Sequence, residues 1–172
     1  MFLNYFKNFS TNKIVKNSLS NVKNLPSASV IKTVGIIFDE SYFYEKEALV
    51  QELTENNIDE KDIKILVYKD KLKKNETFDY PVFSNNDLSW RGTIDKKEVK
   101  EFVKAPFDLL INYYDTEKVA LLLVSHLSKA SFKVGFATID KRLNNFMINT
   151  NAENYKVFMD ELFKYLKILN KI

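Results

Sequence analysis

Between Phe107 and Phe136 the chain reads FDLLINYYDTEKVALLLVSHLSKASFKVGF, and this stretch limits the fold more tightly than any other. Leu109-Leu110-Ile111, flanked by Phe107 and Tyr113, is a short apolar run of strand length. Val119 to Leu127 is too apolar for a surface helix, so a helix there must pack between other elements, with Asp115 or Thr116 offering its cap. Phe132 to Ala137 is a second short run. Two buried strands joined by a buried helix require parallel pairing and a right-handed crossover.

The rest of the chain repeats that alternation. Val30 to Phe38 (VIKTVGIIF) predicts a first strand, with Gly35 at a point where a neighbouring group approaches closely. Asp39-Glu40-Ser41 closes the strand and caps a helix over Tyr42 to Thr54, which Asn56-Asn57 ends. Ile63 to Tyr68 (IKILVY) predicts the second strand. Lys69 to Asp79 is charged and without a period that could bury a face. Tyr80 to Gly92 is the least regular part, and Asp95 to Val103 reads as a short helix stopped by Pro106. After the central unit come a turn at Asp140-Lys141-Arg142, a strand at Phe146-Met147-Ile148, and a capping-box pattern at Thr150 to Glu153. That box opens a helix reaching Ile172, with Tyr155, Phe158, Met159, Leu162, Leu166 and Leu169 on one stripe. The sum predicts an α/β fold over residues 30–172: an open, mainly parallel five-stranded sheet with helices on both faces, flavodoxin-like or half-Rossmann.

Residues 1–29 form a separate basic, aromatic arm. Phe2, Phe6 and Phe9 point away from Val15, Leu19 and Val22 at about 100° per residue, so two short helices serve the pattern better than one. Pro26-Ser27-Ala28-Ser29 breaks the arm from the α/β domain. Charge divides at nearly the same place. Lys7, Lys13, Lys16, Lys23 and Lys32 stand before Asp39 with no acid among them, whereas the remainder holds 21 basic and 23 acidic residues. The basicity belongs to the arm. Such an arm suits RNA or a ribonucleoprotein particle through its lysines, a membrane surface through lysine and phenylalanine together, or its own domain through its apolar faces.

Several chemistries are poorly served. There is no cysteine and one histidine, which leaves no disulfide, thiolate or His-based zinc site. Three glycines form neither a Walker loop nor a GxGxxG turn, so no nucleotide cofactor is expected. No DNA-binding motif is present. No apolar run approaches the roughly 18–20 residues of a spanning helix, and the first residues lack a signal peptide's pattern, so the cytoplasm is the expected location. Carboxylates do converge on the predicted strand ends, where a magnesium ion would find hard oxygen ligands. Asp39, Asp115 and Asp140 are the candidates, and helix capping is the competing role for each. His126 ends an apolar helix without a nucleophile beside it. Trp90 and Arg91 are suited to anchor an interface or stack on bases, and a tryptophan plugging the edge of the core is the competing and favoured role.

The VGIIFDE first strand, FDLLINYY, LSKASFKVGF, NNFMINT and the terminal ELFKYLKILNKI together resemble a family of small Bacteroidota proteins known as a domain of unknown function. The likeness runs over nearly the whole chain and implies no activity, cofactor or catalytic residue. FDLLINYY through LSKASFKVGF is also similar, over about 30 residues, to a strand–helix–strand in the N-terminal half of heptosyltransferase-like glycosyltransferases. The residues themselves favour a non-enzymatic binding protein. Lys7, Lys13, Lys16, Lys23, Trp90 and Arg91 would contact an anionic partner, RNA first and a membrane surface second. A small-ligand or metal-dependent enzyme or sensor at the carboxylate rim, and a protein adaptor or homodimer, are the alternatives.

Overall fold

The structure, a computed structural model, describes residues 13, 17, 30–41, 43–72, 76–89 and 91–172. The arm's expected helices, its docking, and the placement of Lys7, Lys16, Lys23 and Trp90 therefore fall outside the described residues. Lys13 and Asn17 are helical and exposed.

Six strands form one open, wholly parallel sheet in the order β3-β2-β1-β4-β5-β6. They are β1 (Val34–Asp39), β2 (Ile63–Tyr68), β3 (Val82–Phe83), β4 (Leu109–Tyr113), β5 (Phe132–Phe136) and β6 (Phe146–Ile148). The helices are α1 (Lys46–Glu55), α2 (Lys97–Lys104), α3 (Val119–Leu127) and α4 (Tyr155–Ile168). α1 packs with α4 and α2 with α3, one pair on each sheet face. Every residue of β1 and β4 is buried, as a central parallel strand covered on both sides requires. The order reverses between β1 and β4, which is the doubly wound dinucleotide-binding order and not the flavodoxin one.

The α/β expectation holds, and its strand count is corrected from five to six. The added strand is β3, two residues long, inside the stretch read as irregular. So short a strand carries no alternation to detect, and Ser84 immediately begins a capping box with Asp87 around a 3-10 turn. Other boundaries move for local reasons. β1 starts at Val34 because the N–H groups of Lys32 and Thr33 go to Asp108 Oδ2 at 3.0 and 2.9 Å, and that of Ile31 to the Lys171 carbonyl. α1 starts at Lys46 because Phe43 is drawn into the core beside Phe38 and Tyr113. Asn57 ends α1 as expected, with φ 67° in the left-handed region Asn tolerates.

Thr150 to Glu153 does not cap α4. Asn154 is the cap residue, without a side-chain hydrogen bond, and the Ala152 N–H is taken by Asp115. α4 stops at Ile168 and not Ile172. Asn170 turns the chain at φ 52°, and the Lys171 N–H returns to the Leu166 carbonyl at 2.8 Å, satisfying a carbonyl of the last turn. Leu169, expected on the buried stripe, is exposed, and Phe163 is buried in addition.

Gly35 is where the strand needs it. A Cβ there would lie 2.7 Å from two ring carbons of Phe107 and 3.1 Å from Phe102 Cζ. Those rings pack against each other at 5.0 Å, so neither can retreat cheaply. Gly35→Ala should lower the unfolding free energy by about 2 kcal/mol in urea melts, and pairing it with Phe107→Leu should recover part of the loss.

Asp108 links the entry of β4 to the entry of β1 by accepting from both N–H groups and from the Thr33 hydroxyl at 3.0 Å. Burial alone would raise its carboxyl. The Thr33 and Lys32 donors outweigh that and hold it below the ordinary carboxylate range. A carboxyl depressed by folding adds stability above its unfolded pKa, lost as the pH falls through the lower folded value. Asp108→Asn should therefore be less stable than the parent at neutral pH, and the two should converge in equilibrium melts as the pH drops below about 4.

Candidate functional site: the carboxyl-terminal rim of the sheet

In a doubly wound sheet, ligands enter the crevice above the strand ends where the order reverses, here between β1 and β4. This chain fills that crevice with its own side chains. Phe38 and Tyr113 stack at 5.7 Å with their planes 8° apart, and Phe43 lies 5.4 Å from Tyr113 and 6.0 Å from Tyr155. Phe136 and Phe158 close the cluster from β5 and α4. The Tyr113 hydroxyl donates to the Ala152 carbonyl at 2.7 Å, and burial raises its pKa. A buried phenol with a carbonyl partner is fixed in its neutral form.

Polar groups around the plug are paired across the strand ends. Lys118, directly before α3, places its Nζ 2.8 Å from Asp39 Oδ2, 3.0 Å from Asp70 Oδ2 and 2.8 Å from Ser41 Oγ. The same ammonium sits 4.8 Å above the Tyr68 ring, whose hydroxyl donates to Asp70 Oδ1 at 2.9 Å. Burial tends to raise Asp70, and the Lys118 and Tyr68 hydrogen bonds overcome it and lower its pKa. One lysine thus gathers the ends of β1 and β2 to the loop after β4. Beside it Glu40 meets Lys46 and Lys69, each at 3.3 Å, and Lys69 also meets Glu76 at 2.9 Å. A hollow of about 200 Å3 opens there, lined by Glu40, Lys46, Lys69, Glu76, Phe78 and Tyr80 among others.

The three predicted carboxylates are placed as follows. Asp39, at the end of β1, is 7% exposed, pairs with Lys118, and accepts the Ser41 N–H at 3.0 Å. Asp115 accepts the Ala152 N–H at 2.9 Å through its carboxylate, and its backbone carbonyl accepts from the Thr138 hydroxyl at 2.7 Å. Asp140 is clasped by Arg142, whose Nη2 is 2.6 Å from Oδ2 and whose Nε is 2.9 Å from Oδ1. Each serves a different partner. None caps a helix, because α1 and α3 have Glu45 and Lys118 at their cap positions without a side-chain hydrogen bond. Among the described residues, no group of three His, Asp or Glu side chains could hold a metal ion.

Arg91 is exposed at the tip of a small loop. That loop is closed by the antiparallel bridge between Leu88 and Ile94 and by Gly92 at φ 72°. His126 is half-buried in the last turn of α3, its pKa lowered by burial and by the nearby Lys133. Sequence reasoning missed Lys118 and Lys69 as the organising groups of the rim. Lys118 and its partner Asp39 stand at opposite ends of the β1–β4 half of the chain, and no local pattern marks such pairs. Among the described residues, no helix is long and apolar enough to cross a membrane.

The sequence model of one family, described as a family of unknown function (DUF6913), matches residues 7–169. No curated protein and no solved structure matches the chain.

Breaking the rim's central pair tests its structural weight. Lys118→Met leaves Asp39 buried without its cation, which should cost about 3 kcal/mol of unfolding free energy. The double variant with Asp39→Asn should be more stable than Lys118→Met alone. A double-mutant cycle in urea reads both, and a loss under about 0.5 kcal/mol would show that the pair carries no structural load.

Proposed function

We propose, for a chain that belongs to the DUF6913 family of unknown function, that it is a non-enzymatic cytoplasmic binding protein holding an anionic partner, RNA or a ribonucleoprotein particle, through its basic N-terminal arm. The observation that carries this reading is the charge division, with five lysines and no acid before Asp39 against 21 basic and 23 acidic residues from Asp39 onward. A polyanion is attracted by each unneutralised ammonium and releases counterions as it binds. Lys7, Lys13, Lys16 and Lys23 have no acid near them in sequence, and Lys13 is helical and exposed. Phe2, Tyr5, Phe6 and Phe9 supply faces on which bases can stack, as do Trp90 and Arg91.

The rim supports this reading by what it has already committed. Lys46, Lys69 and Lys118 meet carboxylates within 3.3 Å, and the reversal crevice is occupied by aromatic rings. A metal-dependent enzyme working through Asp39, Asp115 and Asp140 would need those carboxylates to converge, and each is bonded elsewhere.

The test is low-salt co-sedimentation of the full chain with ribonucleoprotein particles and, separately, with anionic liposomes, using nuclease and detergent controls. Changing Lys7, Lys13, Lys16 and Lys23 together to Glu should abolish nuclease-sensitive association. The parent's binding should weaken steeply with salt, by about one unit of log–log slope per phosphate contacted. Detergent-sensitive association alone would replace RNA with a membrane surface, and association unchanged by the fourfold variant would retire the arm as the binding element.

A further inference from the structure

Lys133 differs in kind from the lysines of the rim. It lies on β5 near the amino-terminal edge of the sheet and is half-buried under α3. Its Nζ donates to the Ser125 carbonyl at 2.7 Å, and among the described residues it makes no ion pair. Near it on α3 stand Ser125 and His126, and the backbone N–H of Lys133 donates to Asn145 Oδ1, in the turn before β6, at 2.7 Å. The one titratable group among them is an imidazole, which can only add positive charge. An ammonium ion withdrawn from water with a single neutral acceptor is unfavourable. Burial accordingly pulls the Lys133 pKa down to about 8.

Ser125 also anchors a polar network inside the core. Its hydroxyl is 2.6 Å from the Tyr114 hydroxyl and donates to Asn112 Oδ1 at 2.8 Å, and Asn112 in turn donates to Asn144 Oδ1 at 2.7 Å. The residue that receives Lys133 is thus fixed from within. The amine is held in one place by a carbonyl that cannot easily turn away.

We propose that Lys133 is a modification site, a positioned nucleophilic amine that accepts activated acyl groups ahead of the lysines exposed on the surface. The unprotonated Nζ attacks the acyl carbon of an acyl phosphate or acyl thioester, and an N–C bond forms. The C–O or C–S bond breaks, its electron pair leaves on phosphate or thiolate, and the displaced proton passes from nitrogen to water. The amide product keeps one N–H, which is what the Ser125 carbonyl accepts. It also loses a charge that no described neighbour balances. Acylating Lys118 would instead strip Asp39 of its cation. Acylation at Lys133 therefore breaks no ion pair among the described residues, whereas at Lys118 it would break two.

The test uses the full chain with acetyl phosphate in one arm and acetyl-coenzyme A in the other, at about pH 7.5, read by peptide mass spectrometry over time. About a quarter of Lys133 would be unprotonated there, against well under 1% of an ordinary lysine. Restricted access and weaker intrinsic nucleophilicity offset part of that, so an advantage of about tenfold over the exposed Lys129 and Lys156 is expected. The advantage should vanish above about pH 10, where ordinary lysines also deprotonate. Preference in the acetyl phosphate arm alone assigns the phosphate donor, and preference in the coenzyme A arm alone assigns the thioester. Preference in both assigns the shared acyl chemistry. Reaction at Lys133 no faster than at Lys129 and Lys156 in either arm overturns the proposal.

Discussion

A parallel sheet buried on both faces leaves its central strands no place for charge, and this constraint orders the rest of the molecule. β1 and β4 lie side by side with every residue buried, so the charged groups of that region collect where the strands end. There they meet others displaced for the same reason: Asp39 at the end of β1 and Glu40 after it, Lys69 and Asp70 after β2, Lys118 after β4. Groups half withdrawn from water are stable only when matched, and the rim is accordingly a lattice of ion pairs spanning several strands. The crevice between β1 and β4 obeys the same logic from the apolar side. Without glycines to bring backbone amides to a phosphate, the space is best filled, and Phe38, Phe43 and Tyr113 fill it.

Much of this was legible in the residues. β2, α3 and β6 fall on the spans their periodicity predicts, because each is a dense apolar run bounded by polar residues. Gly35 was legible too, since a glycine inside a β-branched strand marks a place where a larger residue would collide. Misreadings cluster where a distant group overrides a local signal. The box at Thr150 to Glu153 satisfies every sequence criterion for a cap, yet Asp115, 37 positions away, takes the Ala152 N–H. Asp39 and Asp115 sit where caps belong and bond elsewhere. β3 escapes notice because a two-residue strand acquires its identity from β2 alone, through Val67–Val82 and Tyr68–Phe83. Lys118 reads as an ordinary residue before a helix, and only the sheet order reveals that it faces two aspartates.

The division between a self-neutralised body and a lysine-bearing leader separates two tasks a chain of this length can perform. Charges of the rim are matched within the fold, and those that would attract a partner under the proposed function are kept apart in sequence. Substitutions in one set should therefore leave the other largely undisturbed, which makes the two experimentally separable.

The sheet tapers toward its margins. Its central strands pair over five or six positions, whereas β3 and β6 pair over two and three. A long flat margin with free amides and carbonyls is a template on which another chain can lay a strand. Here the template is cut to two or three residues on either side. A chain this rich in aromatic residues thus gains built-in protection against amyloid-like stacking, and lengthening β3 or β6 by design would be the surest way to remove it.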